Sequence, residues 1–134
     1  MCFRLLAALG EEGPPFSASD ALALGVRCGL DIRAAPPPAQ RTLEVAWGAC
    51  GCSLYTRKEG RDRTVSFVEG LLQRGWKVQL LLGRDDEPMR WEAPVSAIAW
   101  EVFAHESVAC LPEGQVALIQ PPAGTLVPGV TREI

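Results

Sequence analysis

Two cysteines one residue apart, Cys50 and Cys52, are by type and spacing the residues of this chain best suited to chemistry. Two thiolates at this spacing can bind the same soft ion, such as zinc or copper, when a turn directs both side chains inward. In an extended strand the two side chains would instead point to opposite faces. Gly48 and Gly51 allow a turn and a close approach of the backbone to a ligand. The motif therefore predicts a metal or redox site, although the C-x2-C spacing is more usual in zinc proteins.

A metal site at this motif needs further ligands, and Cys2 and His105 are the best candidates elsewhere in the chain. Cys28 and Cys110 come after them. No feature of the sequence brings any of these residues to the motif. The alternative interpretation makes all five cysteines small apolar residues, a role that free cysteine often fills.

The segment that follows the motif contains four basic residues, Arg57, Lys58, Arg61 and Arg63. A loop of this charge beside a helix N-terminus would attract a phosphate or another anion. The segment lacks the G-x4-G-K-[ST] pattern that cradles phosphate, and an internally paired, hydrated loop is the alternative. We also expect these cations to make the thiols of the motif more reactive than Cys28 and Cys110, which are predicted on packed helix faces.

Two tryptophans, Trp91 and Trp100, concentrate aromatic surface beside Met89 and Phe103. Four tryptophans are many to bury in a chain of 134 residues, and aromatic side chains are enriched in protein interfaces. These residues therefore predict an interface with a second copy of the chain or with another protein. The alternative places them in the core.

Length, charge and motif content argue against several classes of protein. A chain of 134 residues suits one globular domain, with residues 121–134 as a C-terminal arm. A net charge of -3 argues against general binding to nucleic acid or anionic membranes, and no apolar run reaches the roughly 18 residues of a membrane helix. G-x-S-x-G, H-E-x-x-H and G-x-G-x-x-G motifs are absent, which argues against an enzyme. The odd number of cysteines and the abundance of residues with GC-rich codons predict a bacterial cytoplasmic protein.

The hydrophobic pattern predicts the elements that must position these residues. A helix that begins at Asp62 or Thr64 carries one apolar stripe and ends at Gly75. This helix lies between two predicted strands, so the order strand, helix, strand predicts a right-handed crossover that joins two parallel strands. The stripe consists of Phe67, Val68, Leu71 and Leu72, and the predicted strands cover residues 2–8, 42–48, 76–82 and 115–120.

An earlier helix is predicted between Ser17 or Ser19, which can cap it, and a C-terminal stop at Gly29. Leu22 and Val26 share one face of this helix. In the last third of the chain, residues 97–111 are predicted as a helix, also capped by a serine. Alternation of apolar side chains at its start makes a strand the competing prediction.

Together, four to five short strands and about three helices predict a small single-domain α/β or α+β sandwich with a mixed sheet. The absence of recognisable catalytic motifs favours a non-catalytic binding or assembly module. The alternative is a thiol-based metal-binding or redox protein that uses the Cys50-Gly51-Cys52 motif.

Overall fold

A computed structural model of the chain describes residues 3–10, 18–34, 42–47, 52–84, 91 and 95–121. Its strands are β1 (Phe3–Leu9), β2 (Asp31–Ala34), β3 (Thr42–Ala46), β4 (Val78–Arg84), β5 (Val95–Ile98) and β6 (Val116–Ile119). Its helices are α1 (Ala18–Arg27), α2 (Cys52–Thr56), α3 (Lys58–Gln73) and α4 (Trp100–Glu106), with a 3-10 helix at Ser107–Cys110. None of the helices in these residues is long and apolar enough to cross a membrane. The predicted α/β class is confirmed.

The six strands form one mixed sheet in the order β2-β3-β1-β4-β6-β5. The first four strands pair antiparallel, and with α1 and α3 they follow the β-α-β-β-α-β connectivity of the ferredoxin-like fold. β6 continues the sheet antiparallel to β4, and β5 lies parallel to β6 at the edge. The chain therefore extends the four-stranded arrangement by a second, shorter β-α-β unit.

The crossover that the sequence predicts around α3 is present in a split form. β3 and β4 run in the same direction, as predicted, but β1 lies between them and pairs antiparallel with both. Leu5 of β1 is paired with Val45 of β3 on one side and with Leu82 of β4 on the other. Apart from Arg4, β1 is apolar on both faces, which suits a central strand of the sheet.

Residues 97–111, predicted as one helix with a strand as the alternative, contain both elements. β5 ends at Ile98 and α4 begins at Trp100. Of the alternating apolar residues Ile98, Trp100 and Val102, only Ile98 therefore lies in the strand. Ser107, with a φ of 56°, ends α4 in the left-handed region that residues other than glycine rarely adopt. Its buried hydroxyl donates a hydrogen bond to the carbonyl oxygen of Arg61 at 2.8 Å, which ties this bend to α3.

α3 begins at Lys58, so the predicted start at Asp62 or Thr64 is wrong. The first turn contains Gly60, which packs closely against α2: a Cβ atom there would lie 2.2 Å from the carbonyl oxygen of Ser53. Thr64 is buried inside the helix, and its hydroxyl donates to the carbonyl oxygen of Gly60 at 2.8 Å. The basic segment that the sequence predicts as a loop is therefore largely helical.

The apolar stripe predicted for α3 is confirmed and lies in the core. Its four side chains are at most 1% exposed: Phe67, Val68, Leu71 and Leu72. Gly75, with a φ of 87°, ends the helix as predicted. The amides of Gly75 and Trp76 donate to the carbonyl oxygens of Leu72 and Leu71, the paired bonds of a Schellman motif.

α1 also ends where its glycine predicts. Gly29 has a φ of 74°, and the preceding helix stops at Arg27. The face of α1 that packs on the core carries Ala21 and Leu24, whereas Leu22 and Val26 are exposed to solvent.

Apolar side chains cover both faces of the sheet. All four α-helices contribute residues to one core cluster, which lies against Leu5, Ala7 and Leu9 of β1. Leu6, on the opposite face of β1, joins a smaller cluster with Leu81 and Val116. The fold is thus a helical layer on one side of a sheet, with a second apolar cluster on the other side.

Candidate functional site

Cys52, the second cysteine of the C-x-C motif, is the first residue of α2 and lies beyond the carboxyl end of β3. The backbone N–H of Phe3 donates a hydrogen bond to its Sγ atom at 3.4 Å. The two residues are 49 positions apart, so this contact joins the start of β1 to the C-x-C motif. The thiol is free, and the residue is half-buried.

An aromatic pair lies beside this thiol. The rings of Phe3 and Tyr55 are stacked, with centroids 5.2 Å apart and planes inclined by 22°. Both side chains are partly buried and pack against the core. Phe3 therefore contacts α2 in two ways, through its ring on Tyr55 and through its amide on the Cys52 sulfur.

Of the other residues predicted as ligands of this metal site, namely Cys50, Cys2 and His105, the structure describes only His105. Cys50 and Cys2 lie outside the described residues. In the sequence, Cys50 stands two residues before Cys52, and Cys2 is bonded to the amide nitrogen that contacts the Cys52 sulfur. His105 is exposed in the last turn of α4. Within the described ranges no three His, Cys, Asp or Glu side chains form a group that could hold a metal ion.

The two remaining described thiols, Cys28 and Cys110, are half-buried at the ends of helical segments. Burial raises the pKa of Cys28, an effect that the neighbouring charges of Arg27 and Arg74 partly offset. Burial also raises the pKa of Cys110, and the negative charge of Glu106 adds to it. The Cys110 thiol donates to the carbonyl oxygen of Ser107 at 3.0 Å.

We expect Cys52 to be alkylated faster than Cys28 and Cys110 in the folded, metal-free protein near neutral pH. A raised pKa lowers the thiolate fraction of the two other thiols, and the thiolate is the reactive form. Timed alkylation followed by peptide mapping measures the three rates, and an increase in pH should accelerate Cys28 and Cys110. If either of them reacted before Cys52 at neutral pH, this prediction would be wrong.

The four basic residues predicted to attract an anion have partners inside the chain. The guanidinium of Arg63 donates to the carbonyl oxygen of Gly29 at 2.9 Å, pairs with Glu59, and lies 4.8 Å from the ring of Trp47. The other three basic residues also have partners. Arg61 donates a hydrogen bond to the carbonyl oxygen of Tyr55, and Lys58 pairs with the carboxylate of Asp62. The guanidinium of Arg57 lies over the ring of Trp47. These contacts join α3 to α1, α2 and the end of β3. Anion binding by these residues stays a prediction.

A cleft of about 450 Å³ runs between α1 and α3. Arg27, Arg63 and Arg74 contribute positive charge to its walls, and the acidic residues Glu59, Asp62 and Glu69 balance it. The Cys28 side chain also lines the cleft. Because the opposite charges are equal in number, the cleft has no clear preference for a cation or an anion.

The tryptophans predicted at an interface contact the interior of the domain. Trp100 is 9% exposed, and its ring centroid lies 6.0 Å from that of Phe103 in the core. Trp91 is partly buried and packs against the second apolar cluster of Leu6, Leu81 and Val116. In the described part of the chain, the exposed large apolar side chains are instead Leu22, Val26, Val95 and Val102.

The sequence singled out Cys52 and missed Phe3 and Tyr55. Neither aromatic residue carries a local signal of a site, because the Phe3 contact depends on the pairing of distant elements.

Comparison of the chain with protein families, with curated proteins and with solved structures gave no match.

Proposed function

We propose that this protein is a thiol-based metal-binding protein, which holds a soft ion such as zinc or copper(I) with Cys52, Cys50 and Cys2. The observation that supports it is the hydrogen bond from the Phe3 amide to the Cys52 sulfur. This bond connects the C-x-C motif to the residue that follows Cys2 in the chain. Cys2, the residue before Phe3 in the sequence, would supply the third thiol. The sequence alone offers no reason to associate Cys2 with the motif.

The chemistry of the proposed site follows from its ligands. Thiolates select soft ions such as zinc and copper(I) over magnesium or calcium. An amide that donates to a ligating sulfur orients the ligand and can stabilise its negative charge when the metal is bound. Three thiolates leave one position of a tetrahedral zinc ion open, and copper(I) would be held by the sulfurs alone.

We place this activity in a bacterial cytoplasm, where thiols stay reduced and available to a metal. The odd number of cysteines supports a reducing compartment. A binding role without catalysis is consistent with the absence of recognisable catalytic motifs from the sequence.

We expect the native protein to bind about one zinc or copper(I) ion per chain, and Cys52→Ser to weaken binding at least about 100-fold. Protein purified without chelator would first be measured by elemental analysis. Anaerobic titration against a chromophoric chelator then gives the affinity for each ion separately. Cys2→Ser and Cys50→Ser should each weaken binding, since both supply proposed ligands.

Cys110→Ser is the matched control, because Cys110 is also free and half-buried but stands at the end of the 3-10 helix. Its substitution should leave the metal affinity unchanged. Five free thiols with no bound metal, or equal affinities for the Cys52 and Cys110 variants, would contradict the proposal. The absence of metal would favour the alternative of a metal-free binding or assembly module.

A further inference from the structure

One helix of the fold presents apolar side chains to solvent on the face opposite the core. Ser19, Leu22, Ala23 and Val26 form this face of α1, which we term the α1 outer stripe. Leu22 is 49% exposed and Val26 is 72% exposed. Residues three and four apart lie next to each other on a helix, so the exposed side chains form one continuous surface.

The neighbouring helix shows the contrast. α1 and α3 are antiparallel neighbours, since Leu24 contacts Gly70 and Gly29 contacts Arg63. The outward row of α3 carries only polar side chains, namely Asp62, Ser66, Glu69 and Gln73. A helix that simply faces water needs no apolar outer surface, and α3 follows that rule. The apolar outer surface of α1 is therefore a local feature of this helix.

We propose that the α1 outer stripe binds the same stripe of a second copy of this chain, with the two helices antiparallel across a two-fold axis. A two-fold interface requires a surface that is complementary to itself. With the axis near Leu24, Leu22 of each protomer lies opposite Val26 of the partner. Ala23 lies near the centre of the contact, where a small side chain allows close approach of the two helices.

The charges on α1 support the same arrangement. Asp20 and Arg27 are seven residues apart, so they flank the stripe on the same side. Rotation about the two-fold axis places the charged sides of both helices on the same side of the dimer. Asp20 of one protomer then lies beside Arg27 of its partner. Their positions along the helix axis differ by one residue, about 1.5 Å. A parallel two-fold pair would instead place the charged sides of the two helices on opposite sides of the contact, where Asp20 could not reach Arg27 of the partner.

The size of the surface sets the strength of this association. A helix of ten residues is about 15 Å long and presents much less than the roughly 800 Å² per partner of a standard stable interface. We therefore expect a weak, concentration-dependent dimer, with a dissociation constant on the order of 100 µM.

Sedimentation velocity on the full chain, from about 10 µM to about 1 mM, tests the proposal. The weight-average mass should rise from one chain toward two, and Val26→Glu should weaken association at least about tenfold. Val102→Glu is the matched control, since Val102 is an exposed valine on α4. It should leave the association unchanged. Circular dichroism confirms that each variant is folded.

A charge exchange distinguishes this geometry from general stickiness. Asp20→Arg should weaken association roughly fivefold, because it opposes Arg27 of the partner. The double variant Asp20→Arg/Arg27→Asp should restore it. A monomer throughout the concentration range overturns the proposal, as does a dimer that Val26→Glu leaves intact. Failure of the exchange to restore association overturns the antiparallel arrangement.

Discussion

Replacing Leu72 with alanine should lower the free energy of unfolding by roughly 2–5 kcal/mol. Leu72 is 1% exposed and lies in the stripe of α3 that packs against the sheet. The substitution removes buried methyl groups and leaves a cavity that a close-packed core fills only in part. Denaturant unfolding followed by circular dichroism measures the change.

The adjacent residue supplies the control. Gln73 is on the outward row of α3, and Gln73→Ala should change the free energy of unfolding by less than about 0.5 kcal/mol. Both variants shorten a side chain at the C-terminal end of the same helix, so a difference between them reports burial alone. Equal losses would mean that the facing of α3 is misassigned.

Gly60→Ala should lower the free energy of unfolding by about 3 kcal/mol, although alanine is the better helix former. The new Cβ would lie 2.2 Å from the carbonyl oxygen of Ser53 and 3.0 Å from the Cα of Leu54. Both are backbone atoms that no side-chain rotation can move. α2 and α3 must therefore separate, and this loss exceeds the roughly 1 kcal/mol gained from helix propensity.

Gly70→Ala is the control within the same helix. Its Cβ would lie 2.8 Å from the two methyl carbons of Leu24, the end of a side chain that can adjust. We expect a loss of about 1 kcal/mol or less, because part of the strain is relieved and helix propensity improves. Denaturant unfolding of both variants measures the difference. A loss at Gly60 no larger than at Gly70 would contradict the inferred contact of α2 with α3.

The Gly60 variant also has a consequence for the thiol. α2 carries Cys52 at its first residue, so a displaced α2 should change the environment of its sulfur. In the native structure the Phe3 amide donates to this atom. The alkylation rate of Cys52 should therefore change in Gly60→Ala and stay near the native rate in Gly70→Ala.

Much of the helical layer could be predicted because its signals are local. The stripe of α3 repeats at helical spacing, and Gly29 and Gly75 adopt the positive φ angles that end helices. The start of α3 could not be predicted in the same way. Gly60, in the first turn of the helix, has a weak helical preference, and the contact with Ser53 that makes glycine necessary belongs to the tertiary structure.

The edges of the sheet were also missed. β2 and β5 contain four residues each and lie at the two ends of the strand order. Such short segments show too few alternations to stand out from a loop or the start of a helix. Their pairing with β3 and β6 decides their conformation.

By itself, the sequence determined the α/β class, the buried face of α3, the helix stops and the chemical interest of the C-x-C motif, since each depends on residues close together in the chain. Only the tertiary structure decided that β1 lies between β3 and β4 and that Phe3 contacts Cys52. Any apolar strand could satisfy the same backbone hydrogen bonds, so periodicity does not specify its neighbours. The order of the strands follows from how all of them bury their apolar faces together. This order brings the Phe3 amide within hydrogen-bonding distance of the Cys52 sulfur, 49 residues away in the sequence.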